Sequence, residues 1–210
     1  CPMVIANMRK SEHDLSKPAR LSSCGRPSPW IHMSLRDPQG NEVAKGEPGE
    51  ICIRGPLVMK GYKDMPEQTA EAFAGGWLHT GDVGKLDEDG FLYIVDRTKD
   101  MIVTGGFNVF PREVEDVLST HEAVGQVVVI GVPDEQWGEA VKAVIVLKPN
   151  VAASDELVAA MQALVKKAKG SVQSPKSIDF VPGIPLTPVG KPDKKAVRAQ
   201  YWKGSERGVG

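Results

Sequence analysis

Two folded parts of different character are predicted in these 210 residues: a β-rich stretch up to residue 96 and an α+β part over residues 97–210. Three observations carry that expectation. Short alternating segments bounded by turn residues fill the first stretch, whereas β-branched strands and amphipathic helices alternate in the second. Between them Asp96-Arg97-Thr98-Lys99-Asp100 packs four charges into five residues, which suits a connection free of buried apolar packing. Hydrophobic residues make up 41% and charged residues 25%, so the chain can bury a real core in each part.

Taken in order, residues 2–5 are strand-like, and residues 30–36 and 50–54 alternate with period two, as half-buried antiparallel strands do. Residues 66–73 predict a short helix, opened by a proline suited to a first turn and stopped at Gly75-Gly76. Residues 83–86 and 91–95, joined through Asp87-Glu88-Asp89-Gly90, predict a hairpin. Beyond the charged run, residues 111–118 place apolar side chains at 114, 117 and 118 behind acids in the first turn, the pattern of an amphipathic helix. Residues 126–132 and 141–147 are β-branched strands. Ser154 caps a helix with apolar positions 157, 161, 164, 165 and 168, lysines in its last turn and Gly170 beyond. A short strand at 178–181, a helix at 193–201 and a frayed tail at 204–210 complete the chain, so a mixed sheet flanked by helices is expected here.

Composition removes several functions. Lys plus Arg number 26 against 27 Asp plus Glu, a net charge of −1, which leaves no global positive excess for nucleic acid. Cys1, Cys24 and Cys52 form no CxxC pair, and His13, His32, His79 and His121 have no metal-ligand spacing, so no metal site is expected and a reducing, cytoplasmic setting is. No apolar run approaches the roughly 18–20 residues of a membrane span. The chain opens on cysteine and enters strand-like sequence at once, so a further amino-terminal part is expected.

Four places could carry chemistry. Asp82, after Thr80-Gly81, is a turn-capping acid or a carboxylate that accepts from two vicinal ribose hydroxyls. Gly105-Gly106 is a strand-to-helix turn or a loop where a ligand approaches bare backbone. Leu186-Thr187-Pro188-Val189-Gly190 is a stiffened loop presenting Lys191, and from Pro185 onward six cations face two anions, a local balance that suits a polyphosphate. For Lys194, Lys195 and Arg198 a solvated basic helix end is the better expectation. Arg97, across the hairpin from Asp82, is the member of the charged run best placed to touch a nucleotide.

Three runs together turn these weak signals into a specific one. GEICIRGPLVMKGY at 49–62, WLHTGDVGKLDEDGFLYIVDRTKDMIVTGGFNVFPREVE at 77–115 and PLTPVGKPDKKAVR at 185–198 closely resemble the carboxyl-terminal motifs of the adenylate-forming superfamily, which includes the luciferases. Its fatty acyl-CoA synthetases and 4-coumarate-CoA-type ligases share the His-Thr-Gly-Asp form. The resemblance implies that residues 1–96 are the β-rich end of a large AMP-binding domain and 97–210 a mobile small domain, with a hinge at 96–100. It implies a carboxylic, specifically fatty, acid that attacks Mg2+·ATP to give an acyl-adenylate, which CoA then converts to a thioester. Carried over by residue, Asp82 and Arg97 hold the nucleotide, Lys99 is the hinge, Lys191 is the catalytic lysine of adenylation, and Gly105 and Gly106 line the pantetheine path. Lys194 and Arg198 are candidate contacts for CoA phosphates.

Neither a TSGTTGxPKG phosphate loop nor a Tyr-Gly-x-Thr-Glu motif for adenine and Mg2+ is present; the resemblance places both in a preceding amino-terminal domain. The chain alone is therefore expected to be inactive, and no Mg2+ ligand is expected within it. Two alternatives stand beside the ligase: an adenylation domain that loads a carrier protein, and a stand-alone nucleotide- or CoA-binding module without chemistry.

Overall fold

The computed structural model describes residues 5–202. The strand expected over residues 2–5 therefore falls, apart from Ile5, outside the described residues, as does the tail at 204–210. The chain divides into two compact units, residues 1–98 and 99–210.

In the first unit, a two-stranded ribbon pairs β1 (Ala6–Asn7) with β2 (Arg26–Pro27). A four-stranded antiparallel sheet follows in the order β3 (His32–Arg36), β4 (Gly49–Arg54), β5 (Leu78–Leu86), β6 (Leu92–Arg97). Ile51, Ile53, Leu35, Leu78 and Leu92 gather on one side as its core. The helix α1 (Pro66–Ala72) interrupts between β4 and β5, with proline in its first turn where the missing N–H costs nothing. β5 begins five residues earlier than the alternation at 83–86 predicts. Gly81 and Gly84 blur the period, and the strand is irregular at both of its pairings.

The second unit carries a hairpin of β7 (Ile102–Thr104) and β8 (Phe107–Val109), then α2 (Pro111–Leu118), β9 (Val124–Asp134), β10 (Gly138–Leu147), α3 (Asp155–Lys169), β11 (Ser177–Phe180) and α4 (Lys194–Tyr201). Its five strands form a mixed sheet: β10 pairs antiparallel with β7 and β9 and parallel with β11. Alternation along β10 decides both faces. Val141, Ala143 and Ile145 pack with Val114, Leu118, Met161 and Val165 of α2 and α3, while Val144 packs with Val128, Ile130, Ile184 and Val197 of the α4 side. Covered on both faces, these strands read as nearly continuous apolar runs. Ser154 Oγ accepts from the Leu157 N–H at 3.2 Å and Asp193 Oδ1 from the Ala196 N–H at 3.0 Å, so each cap satisfies a donor that the helix cannot.

Helix α4 is held to the sheet by a polar cluster as well. Lys142 Nζ, on a buried residue, donates to Asp179 at 2.8 Å and lies over the Tyr201 ring, whose hydroxyl donates to the same carboxylate at 2.8 Å. Burial, reinforced by that carboxylate, pushes the Tyr201 phenol up to about 12. Because the folded value is raised, the contribution to stability is full below the ordinary tyrosine range near 10 and is lost as pH rises toward 12. Burial and the hydrogen bond to Asp87 also raise Tyr93, so phenolate absorbance of the 210-residue chain should show a last-ionising phase from Tyr201, and Tyr201→Phe should remove that last phase. Retention of the phase would assign it to another tyrosine.

Candidate functional site

Asp82 sits inside β5, not ahead of a strand as the sequence suggests, and an irregularity of the ladder presents it. Along β4 and β5, Cys52 faces His79 and Glu50 faces Val83, so a single residue of β4 opposes three of β5. The bulged backbone is satisfied locally. Gly81, at φ +74°, supplies the left-handed conformation that only glycine adopts freely, and its N–H donates to Glu50 Oε1 at 3.0 Å. The Thr80 hydroxyl donates to the Ile51 carbonyl at 2.8 Å and accepts from the Asp82 N–H at 3.2 Å. This local chemistry explains why Thr, Gly and Asp stand in that order.

Across the sheet, Asp82 is the register partner of Arg97, and Arg97 Nε lies 3.2 Å from Asp82 Oδ1. Their side chains are 38% and 60% exposed, so the pair contributes little to stability and stays open to a ligand. The carboxylate is held at a bulge of the interior strand β5 with its cation beside it on β6, an arrangement able to accept from a diol and to face an anion at once.

In the other unit, Gly105 and Gly106 form the two-residue turn of the β7–β8 hairpin, with φ +56° and +83°. Positive φ at both positions is the signature of a type I′ turn, so this is a strand-to-strand turn and not a strand-to-helix one. The Gly105 N–H donates to the Trp137 carbonyl at 3.0 Å, and a Cβ at Gly105 would approach the Trp137 ring to 2.6 Å. Lys191 ends a tight loop: the Thr187 N–H donates to its carbonyl at 2.7 Å, its own N–H donates to Thr187 Oγ1 at 3.1 Å, and Gly190 turns at φ +79°. The side chain of Lys191 is exposed. Lys99 lies in a single 3-10 turn, Thr98–Asp100, at the boundary between the two units.

Two expectations require correction. Lys194 is paired with Glu115 at 2.9 Å, and Arg198 with Glu139 at 2.9 Å, the latter side chains only 13% and 9% exposed. Neither is a solvated helix end, and neither presents a spare cation to a CoA phosphate: the i, i+4 spacing puts both on one face of α4, where Lys194 meets an acid of α2 and Arg198 an acid of β10. Sequence reasoning also missed Glu139 itself, which accepts from the Val103 N–H at 2.9 Å and so joins the glycine hairpin to α4. Arg198 Nη1 reaches the Lys99 carbonyl at 3.4 Å from the same place.

Glu50, Cys52 and His79 were missed as well, because their spacing resembles no ligand motif. His79 Nδ1 lies 2.7 Å from Glu50 Oε2 and 3.5 Å from Cys52 Sγ. Burial, then the Glu50 charge, pushes the Cys52 thiol up to about 11, so it is protonated and poorly nucleophilic at neutral pH. The usable signal was Glu-x-Cys on one strand face, which becomes informative only once His79 is known to lie opposite.

Two family models, both of AMP-binding enzymes, match this chain and give its class, the adenylate-forming enzymes. The AMP-binding enzyme model matches residues 1–63 and the AMP-binding enzyme C-terminal domain model residues 113–191. The chain belongs to the adenylate-forming superfamily. Among curated relatives, a medium/long-chain-fatty-acid–CoA ligase of Mycobacterium tuberculosis is 56% identical over 100% of this chain and 37% of its own length. A long-chain-fatty-acid–CoA ligase of Salmonella typhimurium is 42% identical over 94% of the chain and 33% of its own length. Among solved structures, the amide bond synthetase McbA from Marinactinospora thermotolerans superposes with a TM-score of 0.80 at 40% identity, covering 94% of this chain and 39% of that one. The chain thus spans little more than a third of these relatives. Among the described residues no helix is long and apolar enough to cross a membrane.

Proposed function

We propose that this chain is the part of an AMP-forming fatty acid–CoA ligase that holds the ribose and switches between the two half-reactions. The observation that carries it is the exposed Asp82–Arg97 pair, set in register at the bulge. Asp82 accepts the ribose hydroxyls, and Arg97 stands beside it toward the phosphates. The acid, ATP and CoA are the substrates, a preceding amino-terminal domain is the partner, and the cytoplasm is the setting.

Mg2+ takes hard oxygen ligands. The Glu50–Cys52–His79 group offers sulfur and nitrogen and does not fit it, so Mg2+ enters with the ATP phosphates and the domain that binds them. Lys191 brings a positive charge to the α-phosphate and the attacking carboxylate during adenylation. The small unit then turns about residues 96–100, with Lys99 as hinge, so that Gly105 and Gly106 line the pantetheine path. The α2/α3 and α4 sides of the sheet are packed separately, which supports a unit that moves as one body and offers different faces in the two steps.

In the full-length enzyme, Lys99→Pro is expected to spare adenylate formation and slow thioester formation, because proline fixes φ where the chain must turn. Single-turnover measurement of both half-reactions checks this, and an unchanged second step removes Lys99 from the hinge. The function itself is tested by fatty-acid-dependent exchange of pyrophosphate into ATP by the full-length enzyme, followed by acyl transfer to CoA or to a carrier-protein thiol. Exchange abolished by Asp82→Ala supports the proposal. Micromolar binding of AMP or CoA by the 210-residue chain, with no exchange by the longer protein, favours the stand-alone module instead.

A further inference from the structure

The side of the four-stranded sheet opposite its apolar core carries donors that the proposed function leaves unused. Ser34 faces Cys52 across β3 and β4, and Cys52 faces His79 across β4 and β5. Strand alternation puts Glu50 on the same side as Cys52, while Ile51 and Ile53 point into the core. One ligand atom from each of Glu50, Cys52 and His79 lies within 4.8 Å of the others.

Each of the two polar ligands is also held from behind. His79 Nε2 lies 3.2 Å from the Ala74 carbonyl, and Glu50 Oε1 accepts from the Gly81 N–H. A ring whose Nε2–H is committed to a carbonyl turns Nδ1 toward its partners, the outer arrangement that orients metal-bound histidines and carboxylates. A second, independent observation lies beside them. Ser34, 4% exposed, has no hydrogen-bond partner for its hydroxyl among the described residues, and its register places it against Cys52. Cys52 is fully buried, but the His79 and Glu50 side chains are 28% and 21% exposed, which leaves a route for an ion and a solvent-facing position.

We propose that Glu50, Cys52 and His79 form a binding site for one borderline-soft divalent cation of the zinc class, with water in the remaining position. Thiolate, imidazole and carboxylate are the donor set that Zn2+ takes in tetrahedral sites. On binding, bonds form from Sγ, Nδ1 and a Glu50 oxygen to the ion. The thiol proton and any proton shared between Nδ1 and Oε2 pass to solvent. The site does not depend on the ligase function.

The test is titration of the reduced 210-residue chain with Co2+, with Cys1 and Cys24 replaced by serine so that only Cys52 can supply a thiolate. A near-ultraviolet thiolate-to-cobalt band that saturates at one equivalent, is removed by one equivalent of Zn2+ and resists excess Mg2+ is the expected result. Cys52→Ser should abolish the band with the circular dichroism unchanged, and Glu50→Gln should weaken binding at least tenfold. If Cys52→Ser fails to fold, His79→Gln supplies the same comparison. No band, a band surviving Cys52→Ser or His79→Gln in a folded chain, or equal displacement by Mg2+ overturns the site.

Discussion

Lys191→Ala in the full-length enzyme should lower acyl-adenylate formation about 10²–10³-fold, while thioester formation from supplied acyl-adenylate stays nearly unchanged. The size follows from what one preorganised charge contributes at a centre where negative charge develops out of reach of water. It rests on the loop: Thr187 closes on Lys191 through two backbone-anchored hydrogen bonds, and Gly190 makes the turn, so the ammonium is delivered from a stiff base. Pyrophosphate exchange reads the first half-reaction, and CoA consumption from synthetic acyl-adenylate reads the second. Equal losses in both would show that Lys191 serves the fold or both steps, and the alternating use of two faces would fall.

Glu139→Ala should destabilise the second unit by about 3–5 kcal/mol, the cost of leaving one partner of a buried ion pair uncompensated. The carboxylate satisfies the Arg198 guanidinium and the Val103 N–H from its two oxygens, and the Arg198 side chain is only 13% exposed. Arg198 would lose its carboxylate partner while its side chain stays largely shielded. By contrast, Asp116→Ala at the exposed Arg112–Asp116 pair, with both side chains 66% exposed, should cost about 0.3–0.5 kcal/mol. Urea unfolding of the 210-residue chain, followed by the fluorescence of Trp137 and Trp202 with Trp30 and Trp77 replaced by Phe, compares the two. A cost for Glu139→Ala no larger than that for Asp116→Ala would refute the assignment of Glu139 as the junction of the β7–β8 hairpin and α4.

Much of the fold was legible because it is periodic. The helix at 111–118 is observed within the predicted bounds, and Ser154 caps α3 as its hydroxyl and the following acids imply. β9 and β10 run longer than residues 126–132 and 141–147, since Pro133 and Gly138 conceal strand that the ladder nevertheless continues. The start of β5 was hidden for a related reason: a bulge has no period, and the residues that make it, Thr80 and Gly81, look like a turn.

The candidate site divides in the same way. Sequence alone determined the family, most of the order of the elements and the proline- and glycine-stiffened loop that presents Lys191, because these are properties of neighbouring residues and of their allowed backbone angles; the short hairpin of β7 and β8 that Gly105 and Gly106 close was not read from it. Only the tertiary structure decided that Arg198 is spent on Glu139, 59 residues away, and that Glu50 meets His79, 29 residues away. Such meetings are set by strand register and by which helical face turns inward. A bulge or one step of helical phase changes them without altering any local pattern.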